Sequence, residues 1–543
     1  MKKYISVLTA IIIVFSSCNS QAERATEQEE EKKNVSKRIY SINRYNSYSD
    51  LFLDSSAVEQ FISEKKLPDS LARRVRSFYN TRNYQFAWFT SGGLTEQARG
   101  FWNLHDYVNT YDPDSTLKDK VLQKKMDALI SDNSFSVGEK DKFFIKTELT
   151  LTQHFIQYIL RHYEKGYVKR KEMERFIPFK KMDALYLADS LIQKKHKDDK
   201  YFEDVNASYA ALKKELIRYF NIAKQGGWPT ISTKARTLKK GTKGPEIVVI
   251  KKRLELTGDM VAGDTSDVFN DTLELGVKNF QERHGYKPDG IITAALIKDM
   301  NVPAIHRVQQ LLMNMDRMRW LATEPKGNLI VVNIPEFVLH LYENGKKVFD
   351  IDVVVGTEGN STMMFNGELN QVVFSPYWNV PPSIVREEIL PAMSRNSSYL
   401  SRQNMEIVGG GGDDGLPTIR QRPGPGNALG KVKFLFPNSF NIYFHDTPAK
   451  SLFEKDKRAF SHGCIRLREP EKLANYVLRD QPEWTPEKIR AAMDAGVEKF
   501  VKVKNPIPVM ITYYTAWVDE NGRLNFREDI YEHDENLRRK MFV

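Results

Sequence analysis

The 543-residue chain contains two cysteines and ten histidines. One cysteine, Cys464, sits in "FSHGCIRL", two residues after His462 and between Gly463 and Ile465. A thiol attacks as the thiolate, so a nucleophilic cysteine needs a base or positive charge beside it. Two histidines could supply the base: His462, and His445, nineteen residues upstream in "NIYFHDT". If that stretch is a strand, Tyr443 and His445 project from one face. A strand end facing a second strand or turn that carries Cys464 would then hold a cysteine–histidine pair. Gly463 lets backbone approach closely and would leave consecutive N–H groups free for an oxyanion. Arg466 adds positive charge and could orient a substrate carboxylate. The competing reading is a buried thiol that behaves as a small hydrophobe. Spacing alone leaves both readings open.

The elements that must position these residues are β-strands. "NLIVVNIP", "FVLHLYENGKKVFDIDVVVG", "QVVFSPYWNVPPS", "FNIYFHDT" and "KFVKVK" alternate or form short β-rich runs, and Asn344-Gly345 is a hairpin signal. "TPEKIRAAMDAG" reads as a helix with Thr485 as N-cap and Pro486 in its first turn. A Gly- and Pro-rich excursion over about residues 383–430 interrupts the strands and reads as a long mobile lid loop. Upstream, residues 237–301 form a compact three-helix unit with a Pro-Asp-Gly turn at Pro288 to Gly290. Residues 45–236 show apolar residues at three- and four-residue spacing, as in "TQHFIQYILRHYEKG", and read as a helical scaffold. His154 and His162 lie in that segment without partners nearby in sequence, which suits surface or satisfied core histidines better than metal ligands.

The apolar fraction is 41% and formal charge is +11. That balance suits globular folding and any anionic polymer or surface. No compact Lys/Arg block interleaved with aromatics occurs, which argues against nucleic acid. The N-terminus "MKKYISVLTAIIIVFSSC" has two lysines and an apolar run too short to span a membrane, which takes about 20 apolar residues. It reads as a secretory signal. The serines before Cys18 resemble the lipobox of bacterial lipoproteins, in which the cysteine takes the lipid; Phe15 stands where Leu is commoner, so ordinary cleavage nearby stays open. Residues 19–44 read as a flexible tether. If Cys18 carries lipid, Cys464 has no disulfide partner in the chain, and a leftover thiol in an exported protein marks a reactive cysteine.

"FHDT", a spacer, then "SHGCIRL" resembles the signature of L,D-transpeptidases. The flanking "MRW", "VNIPEF", "VVVG", "PYWNVPPSI", "PGPGNALG" and "IYFHDTP" resemble the large periplasmic branch of that family. Residues 237–301 are similar to the peptidoglycan-binding domain of cell-wall enzymes. The resemblance implies an α+β multidomain chain: helical scaffold, small three-helix peptidoglycan-binding module, and a mostly-β catalytic domain over 302–543 with the lid loop. It implies Cys464 as nucleophile and His445 as its base, with His462, Gly463 and Cys464 shaping the oxyanion hole mainly through backbone N–H groups and Ser461 helping to shape the site. Tyr443 and Trp378 would line the pocket, or serve as ordinary core aromatics, and Arg466 would meet substrate. The familiar pattern has Asn where this chain has Arg466, a form that also occurs in the family.

The implied reaction is acyl transfer. Cys464 takes the carbonyl of the third stem-peptide residue, diaminopimelate, expels D-alanine, and passes the acyl group to a second stem as a 3–3 cross-link. Hydrolysis by the same cysteine, and a non-catalytic wall-binding protein, are the alternatives. No metal or cofactor is called for. The expected location is the periplasm of a Gram-negative bacterium, with the N-terminal lipid in a membrane and other cell-wall enzymes admitted as partners.

Overall fold

The computed structural model describes residues 35–111, 117–131, 135–162, 176–193, 207–320, 327–410 and 415–543. Cys18, the apolar run before it and most of the expected tether lie outside these residues, as do four residues of the expected lid. The chain forms two compact units, one from residues up to Ala210 with Asn536–Val543, the other from Ala211–Glu535. Among the described residues no helix is long and apolar enough to cross a membrane.

The first unit is helical, with helices over Ser55–Glu64, Asp69–Asn80, Glu96–Tyr111, Lys120–Ser131, Lys142–His162 and Ala184–Ile192. Asp54 and Asp183 accept the backbone N–H groups of Ser56 and Tyr186 at two helix starts, where such donors have no partner within the helix. The apolar faces meet in an aromatic core in which Phe155 packs on Phe78, Trp88 and Phe101. His154 is a satisfied core histidine: its Nδ1 lies 3.0 Å from His105 Nε2. The side chain of His162 is outside the described residues.

In the second unit, helices Pro245–Leu256, Asp271–Arg283 and Ala294–Met300 enclose an apolar core that includes Ile250, Val277, Phe280 and Leu296. Asn270 and Thr293 cap the second and third helices through Leu273 N–H and Leu296 N–H. The Ala304–Met318 helix then leads to the strands.

The strand-rich domain is built on β1 (Asn328–Asn333), β2 (Val338–Glu343), β3 (Lys346–Gly356), β4 (Phe365–Phe374), β5 (Trp378–Asn379), β6 (Met405–Gly409), β7 (Thr418–Gln421), β8 (Val432–Leu435), β9 (Phe444–His445), β10 (Ala459–Ser461), β11 (Ile465–Leu467) and β12 (Lys499–Thr512). Nine of them form one sheet in the order β10-β3-β11-β9-β8-β4-β12-β1-β2. Because β2 also pairs with β3, the sheet closes on itself around a buried core including Val353, Phe374, Phe434, Phe444, Ile465 and Leu467. Asn344 and Gly345 have φ of 53° and 75° between β2 and β3, as the hairpin signal requires. Thr485 caps the Pro486–Asp494 helix through Lys488 N–H.

The excursion over 383–430 carries structure of its own. β7 pairs with both β6 and β5, and residues 382–395 run as consecutive helical turns. Its apolar cluster joins Val380, Ile384, Val385, Ile389 and Ile419, with Trp378 and Leu390 packed against it. A π-type turn at Val385–Ile389 precedes Pro391, whose ring has no N–H to close a regular turn there. The Gly and Pro content that reads as a loop marks the ends and breaks of these short elements.

Candidate active site

The site forms where β9 and β11 run side by side. They pair in parallel, Phe444 opposite Ile465 and His445 opposite Arg466. Phe444 and Ile465 point into the core and are fully buried, each contributing roughly 1.5–3 kcal/mol of apolar burial. Alternation then sends Tyr443, His445, Cys464 and Arg466 to the opposite face. The strand expected in "FNIYFHDT" is shorter than its sequence implies. Asn441 is left-handed with φ 55°, and the Asn438 side chain holds a turn by accepting from Phe440 N–H and Ile442 N–H.

His445 is buried, 4% exposed. Its Nδ1 lies 2.5 Å from the Asp446 backbone carbonyl oxygen. A carbonyl only accepts, so Nδ1 carries the proton and Nε2 presents a bare lone pair. Burial, reinforced by the Arg466 charge, pushes the imidazole down to about 3, so it is neutral at physiological pH. Asp446 is fixed in turn: its carboxylate accepts from Lys431 N–H at 2.9 Å and pairs with Lys450 at 2.7 Å. A Cβ on Gly430 would stand 2.4 Å from that carboxylate, so the "GNALG" turn needs glycine there.

Cys464 is a free, half-buried thiol. Burial raises it above its ordinary range, while the Tyr443 N–H and hydroxyl and the Arg466 charge pull the other way. Its Sγ lies 3.8 Å from the Asn441 carbonyl oxygen, and no hydrogen bond joins it to His445. The resting pair is therefore a neutral thiol and a neutral imidazole on one face, not an ion pair. Arg466 is the other chemically open group. Its Nε is buried without a hydrogen-bond partner, and among the described residues no acid pairs with the guanidinium.

The loop before Cys464 corrects one expectation. Gly463, at φ +107°, does not offer its N–H to an oxyanion, because that N–H donates to Ser461 Oγ at 3.1 Å. The same hydroxyl donates to the Cys464 carbonyl oxygen at 2.6 Å, so buried Ser461 braces the loop. The N–H groups of His462 and Cys464 make no hydrogen bond to any described residue. The His462 ring lies 3.0 Å from Glu388 in the π-type turn. Trp378 is partly buried and packs against the apolar cluster of Val380, Ile384, Val385, Ile389 and Ile419.

Sequence reasoning missed Lys433, which faces His445 across β8 and β9. It is largely buried, with Glu498 at 3.9 Å. Burial lowers its pKa, opposed by Glu498. Alternation along "KVKFLF" was the available signal. Among the described residues no group of three or more His, Cys, Asp or Glu side chains could hold a metal ion.

Residues 327–508 match the family model of the L,D-transpeptidase catalytic domain. Residues 73–216 match a scaffold domain, and residues 243–300 match a "Putative peptidoglycan binding domain". A Haemophilus influenzae protein named "Putative L,D-transpeptidase" is 32% identical over 243 residues, covering 42% of this chain and 49% of its own length. The chain thus spans about half the length of that relative. Among solved structures, an L,D-transpeptidase from Mycobacterium smegmatis is 13% identical with a TM-score of 0.19, covering 34% of this chain and 58% of its own. One from Stackebrandtia nassauensis is 12% identical with a TM-score of 0.21, covering 52% and 97%.

Proposed function

We propose that this chain, which carries an L,D-transpeptidase catalytic domain over residues 327–508, transfers the acyl group of peptidoglycan stem peptides through Cys464. The observation that supports the reading most is the shared face of β9 and β11. It brings to one face a free thiol, a neutral imidazole with an open Nε2 and a guanidinium that no acid pairs with among the described residues.

The mechanism follows from those states. The donor's carboxylate pairs with Arg466, which removes part of the positive field that keeps His445 weakly basic. As Sγ adds to the carbonyl carbon of the third stem residue, the thiol proton passes to Nε2 and the C=O π electrons move to oxygen. The N–H groups of His462 and Cys464 receive that oxyanion. Collapse breaks the C–N bond, and the proton on Nε2 goes to the departing D-alanine amine. An acceptor amine then attacks the thioester, gives up its proton to Nε2, and releases the 3–3 cross-linked product and the thiol.

Water in place of the amine would make the same site an L,D-carboxypeptidase. A lipid on Cys18 and a periplasmic place at a membrane belong to the same proposal. Purified protein mixed with tetrapeptide muropeptides distinguishes the outcomes by mass: cross-linked dimer for the transferase, tripeptide for the hydrolase, and unchanged substrate for a wall-binding protein. A dimer that still forms with Cys464→Ala overturns the assignment. A carbapenem is expected to add covalently at Cys464.

A further inference from the structure

The two N–H groups beside the nucleophile that lack a partner among the described residues belong to peptide units whose carbonyls are held from one short segment. The N–H of His462 shares its peptide plane with the Ser461 carbonyl, which accepts from Thr357 N–H at 2.9 Å. The N–H of Cys464 shares its plane with the Gly463 carbonyl, which accepts from the Thr362 hydroxyl at 2.8 Å. A trans peptide is planar, with its C=O and N–H pointing in opposite directions. Fixing each carbonyl toward residues 357–362 therefore turns each N–H away from that segment.

Thr362 is built for this task. It is 2% exposed. Its hydroxyl can donate to only one acceptor, and it takes the Gly356 N–H at 2.9 Å, which leaves its proton for the Gly463 carbonyl. Its own N–H donates to the Tyr531 hydroxyl at 3.3 Å, and Tyr531 donates to the Gly356 carbonyl at 2.7 Å. Tyr531 N–H is anchored on the Tyr513 hydroxyl, and Tyr513 donates to Asp529. Donor directions are thus set from Asp529 to Tyr513, and from Tyr531 and Thr362 to the peptide before Cys464. Ser461 holds the same loop from inside, through the Gly463 N–H and the Cys464 carbonyl. It holds neither carbonyl that decides where the two open N–H groups point.

We infer that Thr362, braced by Tyr531, is a positioning residue that aims the Cys464 N–H at the oxyanion, an inference that rests on the acyl-transfer reading of the site. It touches neither thiol nor substrate. Its effect is confined to steps that generate an oxyanion, and alkylation of the thiol by iodoacetamide, which forms none, is untouched by it. Replacing Thr362 by Val keeps the shape and removes the hydroxyl.

The test measures two rates on the full chain by mass spectrometry: acylation of Cys464 by a carbapenem and alkylation of Cys464 by iodoacetamide. Thr362→Val is expected to slow acylation about 10- to 100-fold, below the full loss of one oxyanion donor, with the alkylation rate unchanged. Thr362→Ser restores acylation to within about threefold, and Tyr531→Phe shows a smaller selective loss should the Val variant fail to fold. Equal loss of both rates, or unchanged acylation in Thr362→Val and Tyr531→Phe, overturns the inference. Failure of the wild-type protein to be acylated would instead overturn the reading of the site on which it rests.

Discussion

Two buried polar centres in this protein invite comparison. In the helical unit, the Glu148 carboxylate accepts from Ala87 N–H at 2.7 Å, Trp88 N–H at 3.0 Å and the Tyr79 hydroxyl at 3.0 Å. Burial raises it to about 7, yet its oxygens are supplied with donors. In the strand-rich domain, among the described residues, His445 keeps one ring nitrogen open, Arg466 has no acid beside it, and two backbone N–H groups of the cysteine loop lack partners. The first centre is closed and holds helices and chain together. The second is left incomplete where a ligand with a carboxylate and a carbonyl would complete it. Unpaired buried groups cost stability unless something fills them, so the incomplete centre is where function is expected.

Substitutions can break this contrast, and the largest effect is expected at His445. His445→Asn keeps an N–H near the Nδ1 position for the Asp446 carbonyl and removes the proposed base. Carbapenem acylation of Cys464 should fall about 10²- to 10⁴-fold, the usual range for a lost general base, with little change in melting temperature. A loss below threefold would assign the base elsewhere.

The next effect separates the two centres directly. Glu148→Ala strands two backbone N–H groups and should destabilise the fold by about 2–4 kcal/mol in a denaturant titration, while the alkylation rate of Cys464 stays unchanged. Arg466→Met should do the reverse, lowering kcat/KM for a carboxylate-bearing donor about 10- to 100-fold and leaving stability level or improved. If Arg466→Met destabilises as Glu148→Ala does, the guanidinium has a structural role and the contrast fails.

A pH series sharpens the description of the resting pair. The thiol is held above its ordinary range, so it stays protonated at neutral pH. His445, held at about 3, stays neutral down to acid pH. Iodoacetamide alkylation, which needs thiolate, should therefore keep rising through about pH 9. Carbapenem acylation, which moves the proton within the pair, should stay level from about pH 8 to 5. An alkylation rate already at plateau below pH 7 would mean a preformed thiolate–imidazolium pair.

The smallest effect belongs to the His462–Glu388 contact. His462 and Glu388 are both about half exposed, and such pairs contribute about 0–1 kcal/mol. Glu388→Gln should change acylation less than about threefold. A tenfold loss would make that contact part of the closed site.

How much of this was legible depended on how local each cause is. Asn344-Gly345, Thr485 and the alternation of Tyr443 and His445 act within a few residues, and each takes its expected place. The state of Gly463 N–H was not legible, because it depends on which way the buried Ser461 hydroxyl turns. Thr362 lies 101 residues from the carbonyl it holds, and no pattern in "NSTMMF" announces that. His105 and His154 are 49 residues apart and satisfy one another only once two helices pack. The excursion over 383–430 is a different case: elements of two to six residues between Gly and Pro leave too short a period to read.

The most direct test of the account follows one tetrapeptide donor with the full chain, using intact-protein mass spectrometry and released D-alanine as readouts. The account predicts a thioester on Cys464, carried by the peptide ending at its third residue, with one D-alanine released for each acylated protein. Cys464→Ala should give neither. Release of D-alanine by Cys464→Ala, or an acyl group on any residue other than Cys464, would contradict it.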